Sequence, residues 1–185
     1  MIKTSVSIAA AALLVAHAAL AADVPAERRD FQVLKDVSTS VQRYVHFTIF
    51  DDISANVKDG VVTLTGDVTM PYKKDDIDRR VAKIDGVKSV VDHIAVLPVS
   101  RFDDELRATI ARRIYGNSNF WNYAIMANPP IHIVVANGRV TLTGVVTSEV
   151  DRMLARSIAS QSGALSVTCD LKTDAEMRDA LEQSR

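Results

Sequence analysis

Residues 137–147 read NGRVTLTGVVT, and residues 59–69 read DGVVTLTGDVT. The two stretches are identical at eight of eleven positions and begin 78 residues apart. A glycine-containing phrase can bind phosphate, form a turn or act as a hinge, so its flanking residues decide its meaning. The five residues between its glycines fit neither a P-loop, which has four, nor a dinucleotide-binding fingerprint. The duplication therefore points first to a chain built from two copies of one unit.

The flanks of the second copy predict a β-hairpin. Apolar residues alternate with other residues over positions 131–135 and again over 140–142, on either side of Asn137-Gly138. This period of two around Asn-Gly is the strongest short-range hairpin signal in a sequence. Both central residues of such a turn have positive φ, which explains Gly138 without a ligand.

Amphipathic helices are predicted on both sides of this hairpin. Upstream, Asp103 is placed to cap a helix whose apolar stripe is Leu106, Ile110 and Ile114. Downstream, Ser148-x-x-Asp151 opens a second helix that closes at Gly163 as its C-terminal cap. The apolar residues assigned to the inner face of that second helix are Val150, Leu154 and Ile158. An alternating strand over 164–171 completes a unit of order αββαβ.

The first copy repeats this order. Its first helix is predicted to bury Leu34, Val37 and Val41, and its second begins at Pro71, with Lys73 on a solvated charged face. A strand–helix–strand crossover places the third strand parallel to the second. The fold class is therefore α+β, with two tandem αββαβ domains, each a three-stranded mixed sheet with two helices on one face. The predicted domains are 29–98 and 101–174, followed by a tail at 175–185 that either forms a short helix or frays.

The N-terminus is typical of an exported protein. Residues 1–21 combine Lys3, a short apolar core and a small-x-small site, which predicts a signal peptide cleaved after Ala21 and a periplasmic location. No later segment has the roughly 20 apolar residues of a transmembrane helix. Cys169 is the single cysteine, so no intramolecular disulfide can form. It is either a small buried apolar residue, which we favour, or a reactive or intermolecular thiol.

Composition and motifs argue against several classes of function. The formal net charge is −1 and neither half has a basic excess, so nucleic acid is not an expected partner. The histidines that follow the signal peptide, His46, His93 and His132, lie on different elements without paired spacing, so we expect no metal site. No nucleophile motif or anchored carboxylate pair appears. We therefore predict a protein that is not an enzyme, with no catalytic residues and no cofactor.

The repeated unit resembles the BON-domain family, over nearly the whole chain that follows the signal peptide. The matching motif is [DN]GxVTLTG followed by an amphipathic helix and a later glycine; Ala164, where the family more often has valine, departs from it. The resemblance implies a non-enzymatic envelope protein that binds phospholipid or another envelope component and supports envelope integrity or osmotic stress tolerance. The alternative is a module that docks to a protein partner without lipid affinity. The positions carrying the motif are Asp59, Gly60, Leu64, Gly66, Gly86, Asn137, Gly138, Leu142, Gly144 and Gly163.

Gly66 and Gly144 have two possible roles. A glycine between a strand and a helix N-terminus leaves backbone N–H groups free for an anion. The alternative, which we favour in the absence of a basic neighbour, is that each glycine permits a tight strand-to-helix turn or close packing.

One stretch of the second copy differs from the first and supplies the candidate binding site. Residues 116–130 carry an excess of five residues and the single tryptophan, directly after two arginines. Aromatic side chains beside arginines suit the headgroup layer of an anionic phospholipid membrane or the groove of a partner protein. A loop that covers the sheet edge or fills space between the domains would look similar. The candidate lipid- or partner-binding residues are Arg112, Arg113, Phe120, Trp121, Tyr123 and Met126.

Overall fold

The computed structural model describes residues 26–183, so the predicted signal peptide at 1–21 lies outside the described residues. Domain 1 contains α1 (Ala26–Gln42), β1 (Asp52–Lys58), β2 (Val61–Val68), α2 (Pro71–Val81) and β3 (Ser89–Val96). Domain 2 contains α3 (Arg101–Tyr115), a short α4 (Trp121–Ala124), β4 (Ile131–Ala136), β5 (Arg139–Val146), α5 (Glu149–Ser160), β6 (Ser166–Cys169) and β7 (Lys172–Thr173). The tail forms a further helix, α6 (Asp174–Gln183).

Both sheets are mixed, as the sequence predicts. In domain 1, β2 lies between an antiparallel β1 and a parallel β3. In domain 2, β5 likewise pairs antiparallel with β4 and parallel with β6, and the short β7 continues the parallel pairing. The α+β class with tandem αββαβ domains is therefore confirmed. The third strand of domain 2 is interrupted after Cys169, whose half-buried side chain packs against the core.

Each domain has its own hydrophobic core between its sheet and its two main helices. In domain 1 the centre of this core includes Val37, Val62, Leu64 and Ile77, all almost fully buried. In domain 2 the core also takes in two aromatic side chains, Phe120 and Tyr123. The helix pairs α1 with α2 and α3 with α5 are in contact, which fits two helices on one face of each sheet.

The predicted hairpin turns are confirmed, and each is held by a carboxylate. Asp59 and Asn137 have φ of 53° and 52°, and the glycine after each also has positive φ. In domain 2 the side chain of Asp103 accepts hydrogen bonds from both turn amides, at 2.8 and 2.7 Å. Asp30 does the same in domain 1. Asp103 is therefore not the helix cap; Ser100 is, and its hydroxyl accepts from the backbone N–H of Asp103.

Gly66 and Gly144 lie inside strands, before the strand-to-helix turns to which the sequence assigned them. Their φ angles are 119° and 112°. A Cβ at Gly66 would lie 2.1 Å from the carbonyl oxygen of Asp52, and a Cβ at Gly144 would lie 1.8 Å from that of Pro130. These glycines are required because the neighbouring backbone approaches too closely for any side chain.

The buried faces of the helices differ in detail from the prediction. In α5 the fully buried residues are Ala155 and Ala159, while Val150 is 66% exposed. The alanines lie 78 positions after Ile77 and Val81, the same offset as the hairpins, whereas Gly86 and Gly163 are 77 apart. The second copy is therefore one residue shorter than the first between Ala159 and Gly163, at the C-terminal end of α5.

Similarly, Val33 takes the buried place in α1 beside Val37 and Val41, and Leu34 is only half-buried. The reason is that α1 packs over the sheet with the stripe 33, 37, 41, so Leu34 lies beside β1 at the sheet edge.

Candidate functional site

Two connecting segments, 43–51 in domain 1 and 116–130 in domain 2, link the first helix of each domain to its first strand. The segment 43–51 ends at Asp51, which is fully buried. Its carboxylate accepts hydrogen bonds from the backbone N–H and hydroxyl of Thr48 and from the same two groups of Thr69. It also forms an ion pair with the Lys73 ammonium at 2.6 Å.

Lys73 was predicted to lie on a solvated face, and this is wrong, because its side chain is 5% exposed and neutralises Asp51. Burial alone would raise the pKa of Asp51. The hydrogen bonds from Lys73, Thr69 and Thr48 outweigh burial and lower the pKa of this carboxyl below its usual range. The pair fixes the connecting segment to the N-terminus of α2.

The position equivalent to Lys73 has a different role in domain 2. Asp151, 78 residues after Lys73, accepts a hydrogen bond from the phenol of Tyr123 at 2.8 Å. The phenol oxygen also lies 2.7 Å from the hydroxyl of Thr147 and accepts from its backbone N–H. Burial, with the hydrogen bond to Asp151, raises the pKa of Tyr123. Tyr123 therefore anchors the segment 116–130 as Asp51 anchors the segment 43–51.

The segment 43–51 also joins the two domains. The backbone N–H of Ile133 in β4 donates to the carbonyl of Ile49 at 2.7 Å. The Nδ1 atom of His132 lies 2.6 Å from the carbonyl oxygen of Asp51, and the His132 ring lies 5.4 Å from the ring of Phe47. Ile49 and its neighbour Phe50 pack against the core of domain 2. A cleft of about 490 Å³ remains between this segment and residues 127–130.

The structure divides the predicted aromatic site into a buried half and an exposed half. Phe120 is fully buried and Tyr123 is 6% exposed, so both belong to the core and anchor the segment. Trp121 is 65% exposed and Met126 is 47% exposed. Ile125, which the sequence reasoning missed, is 64% exposed beside them in sequence. The exposed set Trp121, Ile125 and Met126 is called the apolar patch below.

A signal for this division was present in the sequence. Phe120 and Tyr123 are three positions apart, and Trp121 and Ile125 are four apart, which is the spacing of a helix with two faces. The segment contains a 3-10 turn at Ser118–Phe120 followed by α4. The spacing in 116–130 therefore separates one buried face from one exposed face.

The two candidate arginines occupy the last turn of α3, just before this segment. Both are exposed. The guanidinium of Arg113 donates to the backbone carbonyl of Gln161 at 2.7 Å, which ties it to the end of α5. Within residues 26–183, the Arg112 guanidinium makes only a long contact of 3.5 Å, with the hydroxyl of Thr109. Arg113 is therefore fixed against the end of α5, whereas Arg112 has no short side-chain hydrogen bond in the same range.

Other kinds of site have little support in the part of the chain that the structure describes. Among residues 26–183, no group of three or more His, Cys, Asp or Glu side chains is arranged to hold a metal ion. None of the helices in this range is long and apolar enough to cross a membrane.

Comparison with protein-family models identifies the family of the repeated unit. The family model of the BON domain matches this chain twice, at residues 30–98 and 103–175, which together cover most of the chain. The chain belongs to the BON domain family.

The motif residues of the two BON domains now have structural roles. The leucines Leu64 and Leu142 are fully buried on the central strand of each sheet. The glycines of the motif all adopt positive φ: Gly60, Gly66, Gly86, Gly138, Gly144 and Gly163. These residues have structural roles in the turns and strands, and none of them belongs to the apolar patch.

Among curated proteins, the chain is similar to the potassium binding protein Kbp of Escherichia coli O6:H1. The two are 28% identical over 106 residues, covering 52% of this chain and 71% of that protein. Among solved structures, CdsD, a structural protein of the type III secretion system of Chlamydia trachomatis, matches with 12% identity over 79% of this chain and 97% of that chain, at a TM-score of 0.30. The C-terminal domain of CdsD matches with 11% identity over 78% and 66%, at 0.32.

Proposed function

We propose that this tandem BON protein is a non-enzymatic periplasmic envelope protein that binds an anionic phospholipid surface through domain 2 and thereby supports envelope integrity or osmotic tolerance. The observation that supports it most is the apolar patch. Three large apolar side chains at Trp121, Ile125 and Met126 project from one short segment, although the same segment buries Phe120 and Tyr123. The corresponding segment of domain 1, 43–51, contains no tryptophan, and its Ile49 and Phe50 pack against domain 2.

Physical chemistry favours a membrane interface as the surface that covers the patch. An indole ring prefers the headgroup region, where its apolar body and N–H group are both satisfied. Arg112 and Arg113 add positive charge near an anionic leaflet, where each cation contributes about 1 kcal/mol. The segment is anchored through Tyr123 to Thr147 and Asp151, so its exposed side chains are presented by a rigid base.

Vesicle flotation tests this proposal. The purified protein is mixed with phosphatidylglycerol-containing vesicles or with phosphatidylcholine vesicles, at low and high salt. We expect flotation with the anionic vesicles only, and partial loss at high salt, because the charge contribution is screened while the apolar contribution is not. Because the relative Kbp is named a potassium binding protein, the assay is run in KCl and in NaCl at equal concentration.

The variant Trp121→Ala/Arg113→Ala should reduce the vesicle-bound fraction by at least about tenfold with an unchanged far-UV circular dichroism spectrum. The matched control is Phe102→Ala, which removes another exposed aromatic ring, 56% exposed, from the start of α3. It should float like the unsubstituted chain. Equal flotation of the double variant and the control would refute a role for the patch. Absence of flotation with every vesicle would instead favour a protein partner.

A further inference from the structure

A continuous groove runs between the two domains, along the outer face of the domain 2 sheet. One part, of about 490 Å³, lies between the segment 43–51 and residues 127–130. A second part, of about 770 Å³, lies between the domain 1 elements α1 and β1 and the strands of domain 2. Phe47, Asp52 and His132 line both parts, so the two form one elongated groove. Each volume lies in the range of small-ligand pockets, about 300 to 1,000 Å³.

The two walls of this groove differ in polarity. Most of the domain 1 side chains that line the larger part are apolar, among them Leu34, Phe47 and Ile53. Domain 2 contributes the outer face of its sheet, because the alternating β5 residues Leu142 and Val146 are buried in its core. The polar side chains of that face point into the groove. A ligand that fits must therefore be apolar on one side and polar on the other.

A row of polar side chains crosses the domain 2 wall. His132 in β4 lies opposite Thr143 in β5. Asp170 and Lys172 follow on the other side of β5, at the end of β6 and in β7. The hydroxyl of Thr143, at the centre of the row, is buried and has no hydrogen-bond partner in the described part of the chain. An unpartnered buried hydroxyl is unfavourable, so a ligand that bonds to it gains free energy there.

The groove offers both donors and acceptors of hydrogen bonds. The Nδ1 atom of His132 lies 2.6 Å from the carbonyl oxygen of Asp51, which only accepts. Nδ1 therefore carries the hydrogen, and Nε2 of the neutral ring is an acceptor. The carboxylates of Asp52 and Asp170 also accept, whereas the ammonium of Lys172 only donates. Among residues 26–183, none of these three charged groups forms an ion pair.

This mixture of charges favours a ligand without a net charge. A cation placed near Asp170 would also meet Lys172, and an anion placed near Lys172 would also meet Asp170. A hydroxyl group avoids both conflicts, because it can donate to a carboxylate and accept from an ammonium. Carbohydrates carry many hydroxyls around the edge of a ring whose C–H face is apolar. The ring of Phe47 offers a flat apolar surface to such a face.

We infer that the groove binds a linear, neutral oligosaccharide. Its hydroxyls bond to the polar row of domain 2, including the hydroxyl of Thr143, and its apolar faces lie against the domain 1 wall. The elongated shape of the groove suits a chain of sugar units rather than a single one. This site goes beyond the membrane function proposed above and does not use the apolar patch.

Titration of the isotope-labelled full chain, followed by amide NMR spectra, tests the inference with neutral probes. The probes are maltotetraose, a glucose oligomer, and the tetramer of N-acetylglucosamine. We expect at least one probe to shift the amide signals of His132, Thr143 and Val145 in a saturable way. Because neither probe is charged, its affinity should change by less than about twofold between low and high salt.

Substitutions on the domain 2 wall identify the contacts. Thr143→Val retains the shape of the side chain but removes the unpartnered hydroxyl, so it should weaken probe binding by about fivefold. The matched control is Thr141→Val, on the same strand but outside the lining of the groove, which should bind as the unsubstituted chain does. Lys172→Met removes a donor at an exposed position and should weaken binding by about threefold.

Three results would overturn the inference. The first is that neither tetrasaccharide shifts the three amide signals. The second is that Lys172→Met, or a Thr143→Val variant with a native circular dichroism spectrum, binds as tightly as the unsubstituted chain. The third is that the zwitterionic peptide trialanine binds in the groove and the sugars do not, which would assign the groove to peptides. Vesicle flotation depends on the apolar patch, so the two proposals succeed or fail separately.

Discussion

At the scale of single residues, Asp51 and Lys73 show how strongly position determines the role of a charge. Each belongs to a residue type that usually lies at the surface, yet Asp51 is fully buried and Lys73 nearly so. Desolvation of both groups is compensated only because the carboxylate also accepts four hydrogen bonds from Thr48 and Thr69. Removal of either partner leaves a buried charge without compensation.

Lys73→Met tests this directly. Methionine retains much of the apolar stem of the lysine but leaves Asp51 without its cation, so we expect a loss of about 3 kcal/mol in the free energy of unfolding. The matched control is Lys83→Met at an exposed position, which should cost less than about 0.5 kcal/mol. Urea denaturation at neutral pH measures both. Similar values for the two variants would show that the ion pair is not structural.

The lowered pKa of Asp51 also predicts acid sensitivity. Because the native pKa lies below the unfolded value of about 3.9, the contribution of Asp51 to stability is complete above that pH and is lost as pH falls through the native pKa. Asp51→Asn cannot ionise, so this variant should be less stable at pH 7 and should lose less stability on acidification. Urea denaturation between about pH 6 and pH 3 provides the comparison. If the free energies of unfolding of the unsubstituted chain and of Asp51→Asn fell in parallel with pH, groups other than Asp51 would be responsible for the acid sensitivity.

Two glycines with positive φ provide a second comparison at this scale. A methyl group at Gly144 would meet the carbonyl oxygen of Pro130, whereas one at Gly163 would meet nothing within 4 Å. Gly144→Ala should therefore cost about 3 kcal/mol or more, or prevent folding. Gly163→Ala should cost only the backbone strain of a left-handed residue, about 1 kcal/mol. Thermal denaturation of the two variants should show this order, and equal costs would argue against the close approach at Gly144.

At the scale of elements, the two connecting segments have opposite surroundings. The end of the segment 43–51 is covered, because Ile49 and Phe50 pack on domain 2 and the Ile49 carbonyl pairs with β4. The segment 116–130 is anchored through Tyr123 and leaves Trp121 and Ile125 exposed. The same connection in the fold therefore joins the domains in one case and presents a surface in the other.

A substitution in the first segment should consequently weaken the second domain. Ile49→Ala removes apolar contacts with the core of domain 2, so the amide of Ile133 should exchange faster, with a loss of about 1 to 2 kcal/mol. Native-state hydrogen exchange measures this. Val45→Ala, in the same segment but 85% exposed, should leave that amide unchanged. An unaffected Ile133 amide in Ile49→Ala would mean that the docking contributes little.

Much of the element pattern could be predicted from the sequence, because it depends on local signals. Asn137-Gly138 between alternating apolar residues predicts the hairpin of domain 2. The equivalent turn at Asp59-Gly60 predicts the hairpin of domain 1 and shows that the unit is repeated. The errors concern contacts between distant residues. Nothing near Lys73 in sequence shows that Asp51 lies against it, and nothing near Leu34 shows that it lies beside β1 at the sheet edge. In the candidate site, burial of Phe120 and Tyr123 depends on their packing against other elements, although the helical spacing of the segment was visible.

At the scale of the whole molecule, two BON domains are joined by the segment 43–51, and domain 2 presents the apolar patch. The patch follows from a difference between the repeats rather than from what they share. In domain 2, five extra residues between the first helix and the hairpin turn accompany the patch.

Trp121 reports directly on whether the apolar patch enters an anionic phospholipid surface, as we propose, because it is the single tryptophan of the chain. Its fluorescence is measured as phosphatidylglycerol-containing vesicles are added, together with its accessibility to an aqueous quencher. We expect a shift of the emission to shorter wavelength and protection from the quencher, and we expect neither with phosphatidylcholine vesicles. An unchanged spectrum and unchanged quenching, with or without flotation of the protein, would contradict it.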